Sequence, residues 1–273
     1  MSSFRAACVQ LCSSDDVEEN VRIASDLIRE AKNKGAQFVA TPENTTLMAP
    51  DGGAKLENSY SEENDPGLPR FRTLAEEYGM WLLIGSLPIK TSDSKTANRS
   101  FLINPKGTIA ARYDKVFLFD VDLPSGESYR ESNSVAAGDR ATVADLPWGR
   151  LGLSICYDLR FPQLYRRLAQ AGSSFLAVPS AFTETTGKAH WHVLLRARAI
   201  ESGAFVIAPA QGGVHANGRH TYGHSMIVGP WGEVLAEAGT EPCLISADID
   251  PDAVKIARQR VPSLRHDREF DGP

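Results

Sequence analysis

Three residues in this chain carry side chains suited to nucleophilic chemistry, and each stands at the end of a strand-like run. Cys156, in Ser154-Ile155-Cys156-Tyr157-Asp158, lies where an apolar run gives way to a helical one and offers a thiol nucleophile. Glu43, in Thr41-Pro42-Glu43-Asn44, follows another apolar run and offers a carboxylate base. Lys115, in Tyr113-Asp114-Lys115-Val116, follows a predicted hairpin and offers an ammonium. Open α/β sheets place ligands at the carboxyl ends of their strands. A cysteine opening a helix feels the positive end of its dipole, so a lowered thiol pKa is expected. Each signal alone is weak: a strand-end cysteine is more often inert core, and a turn lysine or glutamate is more often solvated surface. Their joint occurrence is what points to a thiol served by a base and a cation.

The elements that must position these groups alternate. Phe4 to Leu11 predicts a buried strand. Asp15 or Asp16 caps a helix with apolar face Val21, Ala24, Leu27, Ile28 and Ala31, stopped by Gly35. Gln37 to Ala40 and Met80 to Gly85 predict two more strands, with a helix from Pro69 to Tyr78 between them. Two such β-α-β units imply parallel strands under covering helices. A hairpin follows, Asn98 to Ile103 and Thr108 to Arg112 about Asn104-Pro105-Lys106-Gly107. Asp114 to Gly138 reads as mostly irregular, a length that usually marks function. The rhythm resumes with strands at Arg150 to Ile155, Ser174 to Val178 and Ala204 to Ala208, and helices at Phe161 to Ala171 and Ala189 to Ser202. A hairpin about Gly229-Pro230-Trp231-Gly232, a strand Leu244 to Asp250, a short helix Pro251 to Arg258 and a loose arm His266 to Pro273 complete the reading. No linker, repeat or low-complexity tract divides the chain, so residues 1–273 are read as one domain.

Composition narrows the function. The chain has 273 residues, 42% of them hydrophobic, and acidic residues outnumber basic ones by 34 to 29. With a pI near 5.7 it has no broad cationic field for nucleic acid. The N-terminus lacks the basic and apolar regions of a signal peptide, and no apolar run reaches membrane-spanning length. Cys8, Cys12, Cys156 and Cys243 are too scattered for a disulfide scaffold. A reduced, cytoplasmic setting without membrane partners is expected. No phosphate-binding glycine motif follows a strand, and Gly52-Gly53 and Gly212-Gly213 read as loop glycines.

In these segments the chain resembles the nitrilase superfamily of carbon–nitrogen hydrolases from about residue 4 to 262. The resemblance rests on PEN with Glu43, YDKVFLFD with Lys115 and GLSICYDLRFP with Cys156, in order. RESNSVAAGD, PSAFTETTGKAHWHVLLRARAIE, YGHSM and GPWGE stand in their expected places. It implies a four-layer αββα sandwich that pairs into a homodimer or higher homo-oligomer, and it places a second glutamate at Glu131. It also implies an amidase working through a thioester, with neither a metal nor an organic cofactor. In that chemistry Glu43 takes the Cys156 proton and later serves the leaving group and water. Lys115 and the Tyr157 N–H stabilise the oxyanion, and Glu131 orients Lys115 or the substrate nitrogen.

Within the family, Cys156-Tyr157-Asp158 differs from the Cys-Trp-Glu of true nitrilases. Leu159-Arg160 holds one arginine where carbamoyl-amino-acid hydrolases have two. CYDLRFP, PSAF, TGKAHW, LLRARAIE and YGHSM look most like the amidases acting on deaminated glutathione, with ω-amidases acting on α-ketoglutaramate second. His192 departs from the acidic residue usual after the tryptophan in both. The expected substrate is thus a small carboxylate-bearing amide, a primary amide releasing ammonia. Arg160 either holds that carboxylate or bridges a structural aspartate. Three other readings compete. His190, His192, His215, His220 and His224 cluster without a recognised zinc spacing. A Cys156–His192 dyad would leave Glu43 and Lys115 idle. A binding module without catalysis would have no need of the intact reactive groups. Leu194, Leu195 and Ala199 form a stripe that serves either a partner interface or the chain's own core.

Overall fold

In the computed structural model, which describes residues 2–124 and 126–272, the apolar runs become strands buried on both faces. β1 (Phe4–Gln10) alternates Ala6 and Cys8 on one side with Ala7 and Val9 on the other, and all four are fully buried. A strand apolar on both sides needs a cover over each face of its sheet.

One cover is helical. α1 (Val17–Asn33) starts at Asp16, whose carboxylate accepts the Glu19 N–H, and buries Ala24, Ile28 and Ala31. α2 (Gly52–Glu57) is a short helix capped by Asp51. α3 (Gly67–Tyr78) buries Leu68, Phe71, Leu74 and Ala75 and ends at Gly79 in the left-handed conformation, φ 57°. α1 and α3 lie together over Ala7, Val9, Val39, Leu82 and Ile84. The sheet beneath runs β17 (Cys243–Ile249), β1, β2 (Phe38–Ala40), β3 (Trp81–Lys90), β4 (Thr96–Ile103), β5 (Ile109–Asp114), with β8 (Val135–Ala136) beside β4.

The other cover is a second sheet. It runs β16 (Val234–Glu237), β15 (Met226–Val228), β12 (Phe205–Ala208), β11 (Ser173–Ala177), β10 (Gly149–Leu153), β9 (Thr142–Leu146). Ala6, Cys8, Ala40 and Leu83 share an apolar cluster with Leu151, Phe175 and Val206. Phe4 stacks on Trp148 at 4.1 Å and meets Phe175 edge-on at 5.3 Å. Such ring pairs add about 0.5–1.5 kcal/mol each beyond the area they bury. Outside this sheet lie α4 (Pro162–Gln170), which buries Leu164, Tyr165 and Leu168, and α6 (His192–Ser202), which buries Leu195 and Ala199. The order of layers is α, β, β, α. No helix among the described residues is long and apolar enough to cross a membrane.

Several expectations shift. The span Asp114 to Gly138, in which Ser125 lies outside the described residues, is irregular over about half its length but carries short elements the sequence did not show. It folds into a hairpin of β6 (Asp120–Asp122) and β7 (Ser128–Arg130), then a 3-10 turn Glu131–Asn133, with Arg130 held by Asp122 at 2.8 Å. Met1 and Pro273, the ends of the domain read from the sequence, are likewise outside the description. Gly52-Gly53 is no loop but the start of α2, because the Asp51 cap outweighs glycine's poor helix propensity. Gly212-Gly213 opens a hairpin of β13 (Gly212–Val214) and β14 (His220–Tyr222). After the single turn α5 (Glu184–Thr186), Gly187–Trp191 forms a wider π turn, so α6 starts at His192 rather than Ala189. Leu195 and Ala199 are fully buried in the chain's own core and Leu194 packs against it, which resolves that stripe.

Close approach at one glycine brings the site together. A Cβ on Gly85 would lie 2.0 Å from the Thr41 carbonyl oxygen and 2.5 Å from both the Pro42 oxygen and Pro179 Cβ. Those residues lead into Glu43 and Ala181. Gly85→Ala is therefore expected to lower stability by about 1–3 kcal/mol, as overpacking does. It should also depress activity by displacing Glu43. Denaturant midpoints and turnover measured on the same variant check both effects, and an unshifted midpoint would contradict the close packing.

Candidate active site

The end of β2 delivers Glu43 into a buried turn. Asn44 there has a positive φ of 56°, and its N–H donates to Ser86 Oγ. Gln211 Nε2, in the segment between β12 and β13, donates to the carbonyls of Glu43 and Asn44 at 3.0 and 3.2 Å, which pins the turn. The Glu43 carboxylate is fully engaged. Oε1 accepts from Asn98 Nδ2 at 2.8 Å and Lys115 Nζ at 2.9 Å, and Oε2 accepts from the Ala181 N–H at 2.9 Å.

Lys115 leaves the end of β5, and its backbone N–H donates to the Asn98 carbonyl. It is 2% exposed, and its Nζ lies 2.9 Å from both Glu43 Oε1 and Glu131 Oε2. Burial alone would push this ammonium down, but Glu131 and Glu43 outweigh it and hold its pKa well above the ordinary lysine value. Glu131 shows the converse. Burial opposes its charge, yet Lys115, Lys55 and the Phe119 N–H at 2.7 Å bring its pKa down to about 2.

Cys156 stands where β10 has ended and a five-residue 3-10 turn begins, with φ 49°. A non-glycine residue in this region is strained and persists where its surroundings over-determine it. Its N–H donates to the Pro179 carbonyl at 2.9 Å. Tyr157 follows as the second residue of the turn, where N–H groups lack a carbonyl of the turn to bond. The expectation of a lowered thiol pKa is corrected here. Burial and then the Glu43 carboxylate push the Cys156 thiol well above its usual value, against a smaller pull from Lys115. So short a turn supplies too little dipole to reverse this, and the resting thiol keeps its proton.

Asp158 ties these segments together. Its Oδ2 accepts from Tyr113 Oη at 2.7 Å and the Ile155 N–H at 2.8 Å, and Oδ1 from the Phe117 N–H at 2.9 Å. Burial raises its pKa to about 6.

Glu43, Lys115, Glu131, Cys156, Tyr157 and Arg160 all line one cavity of about 630 Å³. Among the described residues Arg160 makes no bridge to an aspartate. Its Nη1 lies 3.2 Å from His190 Nδ1, and its guanidinium sits over the Tyr157 and Phe182 rings at 5.8 and 5.4 Å. The histidines diverge. His215 bonds the Ser13 carbonyl and Thr221 Oγ1, His224 contacts Glu237 Oε1 at 3.0 Å, and His192 lies 4.0 Å from Glu237 Oε2. Among the described residues no three His, Cys, Asp or Glu side chains converge as a ligand set. Sequence reasoning missed Asn98, whose amide is shared between Glu43 and Glu131 Oε1 at 2.8 and 3.2 Å. It also missed Lys55 and Arg219 on the cavity wall. The only hint of Asn98 was a polar residue inside an apolar strand.

The carbon–nitrogen hydrolase family model matches residues 5–259. The deaminated glutathione amidase of Synechocystis sp. is 44% identical over 97% of this chain and 98% of its own length. Human omega-amidase is 38% identical over 98% of this chain and 96% of its own. Among solved structures, the NitFhit protein of C. elegans is similar with a TM-score of 0.91 at 36% identity, covering 98% of this chain and 66% of that longer one.

The electrostatics make a separable prediction for Glu43→Gln. Removing the carboxylate takes away a charge that raises the thiol pKa, while Lys115 keeps its bond to Glu131. The midpoint of Cys156 alkylation by iodoacetamide against pH should therefore move down. Turnover should fall by about 10²–10⁴ through loss of the base. A midpoint that moved up would show that Glu43 does not face the thiol as described.

Proposed function

The chain belongs to the carbon–nitrogen hydrolase family, and from that membership we propose a cysteine-dependent amidase whose nucleophile is Cys156 and whose favoured substrate is deaminated glutathione. The observation that carries this reading is the Lys115 ammonium bonded to both Glu43 and Glu131 in the cavity that also holds the Cys156 thiol.

The steps follow from the atoms in place. Glu43 takes the thiol proton as sulfur attacks the amide carbonyl carbon. The oxygen that gains the electron pair is met by the Lys115 ammonium and the Tyr157 N–H, aimed at charge that exists only beyond the ground state. Glu43 then passes its proton to the departing nitrogen, the C–N bond breaks, and a thioester remains. Water enters, Glu43 takes its proton, and the second tetrahedral intermediate collapses to the acid and the free thiol. Glu131 keeps Lys115 charged and placed throughout. Because the resting thiol is protonated, the proton transfer belongs to the attack itself.

Deaminated glutathione and α-ketoglutaramate share the same acyl half, a short chain ending in a carboxylate. With α-ketoglutaramate the departing nitrogen is ammonia; with deaminated glutathione it is the amine of cysteinylglycine. The bond cleaved in the latter is a secondary amide, which corrects the primary amide expected from the sequence. Arg160, four residues after the nucleophile and free of any aspartate, holds the acyl carboxylate. The cavity volume suits either substrate. Identity with the Synechocystis amidase favours the first.

We read residues 1–273 as one hydrolase domain of the cytoplasm, in keeping with four free cysteines. It pairs as a homodimer or higher homo-oligomer. Val193, Ile200 and Trp231, 68%, 54% and 57% exposed, form an apolar patch by α6 that suits a partner.

Wild type should hydrolyse deaminated glutathione with a higher kcat/KM than α-ketoglutaramate; a tenfold preference the other way would assign it as an ω-amidase. Lys115→Met should lower kcat by about 10²–10³. A raised KM with unchanged kcat would reduce Lys115 to a binding group. Arg160→Ala should cost far more on either of these substrates than on propionamide. Light scattering should give at least twice 29.7 kDa, and a clean monomer would count against the interface.

A further inference from the structure

The cavity holds more positive charge than its own acids neutralise. Glu43 and Glu131 are taken by Lys115, Arg130 is matched by Asp122, and Asp51 caps α2. Lys55, Arg160 and Arg219 line the same space with no ion pair among the described residues. A solvated surface cation needs no partner, but Arg219 is not simply solvated. Its Nε is buried and has no hydrogen-bond partner, although Nη2 donates to the Ala181 carbonyl at 2.8 Å and the guanidinium lies over the Tyr129 ring at 5.2 Å. A buried charged donor left unmet is costly, which marks a position where a ligand acceptor belongs.

Lys55 approaches the same wall from α2. Burial lowers its pKa, Glu131 and Glu43 oppose that, and the charges of Lys115 and Arg219 lower it further. Two cations drawn from separate elements, α2 and the β13–β14 turn, thus line the same cavity within electrostatic range of each other, and although Lys55 also feels Glu131 and Glu43, neither forms an ion pair among the described residues. An anion placed there relieves their repulsion and gives the Arg219 Nε its acceptor. Arg160 is a separate station beside the nucleophile's turn, packed on Tyr157 and Phe182. One station next to the nucleophile and one on α2 and the hairpin fit a substrate charged on both sides of its scissile amide.

We propose that Lys55 and Arg219 form a second carboxylate site that binds the anion on the leaving-group half of the substrate. The proposal rests on the reading above, in which Arg160 holds the acyl carboxylate. Deaminated glutathione has a carboxylate on each side of the bond, whereas α-ketoglutaramate has one on the acyl side alone. The second site is thus what separates the two substrates, since their acyl halves are the same.

The test compares deaminated glutathione with its C-terminal carboxamide, the same amide lacking the distal charge. Wild type should favour the free acid by about 10- to 100-fold in kcat/KM, as a hydrogen bond to a charged group implies. Lys55→Met and Arg219→Gln should each remove most of that preference, and Lys55→Arg should retain it. Arg160→Ala should depress both compounds alike. A preference that survives in Lys55→Met and Arg219→Gln, or a loss equal on the two compounds, overturns the second site. If wild type hydrolyses α-ketoglutaramate but neither of these compounds, the substrate reading fails on its own. The site is then judged by competitive inhibition of α-ketoglutaramate turnover, with glutarylglycylglycine against its C-terminal amide. Tighter inhibition by the free acid that Lys55→Met abolishes sustains the site, and equal inhibition overturns it.

Discussion

A lysine ammonium buried between two carboxylates is the interaction on which this structure is organised. Removing Lys115, Glu43 and Glu131 from water costs several kcal/mol per ion, and mutual attraction offsets that only with good geometry and further hydrogen bonds. The further bonds are present: the Asn98 amide to both glutamates, the Ala181 N–H to Glu43 and the Phe119 N–H to Glu131. These groups come from the ends of β2 and β5, the middle of β4, the residues around the β6–β7 hairpin and the segment that follows β11 of the second sheet. The two sheets must therefore face each other, and their strand ends must meet, before any of the charges is satisfied. Gly85 and Gln211 serve that requirement. Burial and then the Glu43 charge raise the neighbouring thiol's pKa, against a smaller pull from Lys115, so stability and chemistry draw on the same carboxylate.

Much of this was legible in the residues alone. The apolar run of β1, the Asp16 cap with Gly35 beyond α1, and the Gly79 stop each state a local physical rule that tertiary packing left standing. Glu43, Lys115 and Cys156 stood out because their side chains react and their neighbours end strands. The failures are equally physical. Asp51 made a helix of two glycines, because one capping bond can outweigh propensity over so short a stretch. The hairpin of β6 and β7 has exposed, polar strands, so no apolar period announced it. The thiol's pKa was misread because a helix start was visible in the sequence while burial and the Glu43 charge were not. Asn98 stayed hidden because an asparagine in a strand becomes informative only when its partners across the fold are known.

Charge distribution within the cavity divides the labour between its walls. The acids gather around Lys115, where protons move. Arg160 stands on the nucleophile's turn, Arg219 on the β13–β14 turn, and Lys55 on α2, close enough to Glu131 to help hold its charge. Aromatic rings fill the space between: Phe119 meets Tyr157 at 5.2 Å and Tyr129 at 5.1 Å. Such rings exclude water without competing for a carboxylate, so an anion arriving there meets cations in a lower dielectric than the solvent it left.

Asp158 gives the site a mechanical property beyond its charges. By accepting from Tyr113 and from the Phe117 N–H it grips the chain on both sides of Lys115, and by accepting from the Ile155 N–H it grips the residue before Cys156. The lysine and the thiol are therefore borne on one stiff strap, although 41 positions separate them. Slow amide hydrogen exchange at Phe117 and Ile155 would rise and fall together, since neither can open while the shared carboxylate holds. Across the mouth, the β13–β14 turn is tied to the segment before α2 by Asn217 Nδ2 donating to the Ala49 carbonyl at 3.0 Å. That contact touches neither the lysine nor the thiol, so a ligand that displaces it leaves the spacing between ammonium and sulfur unchanged.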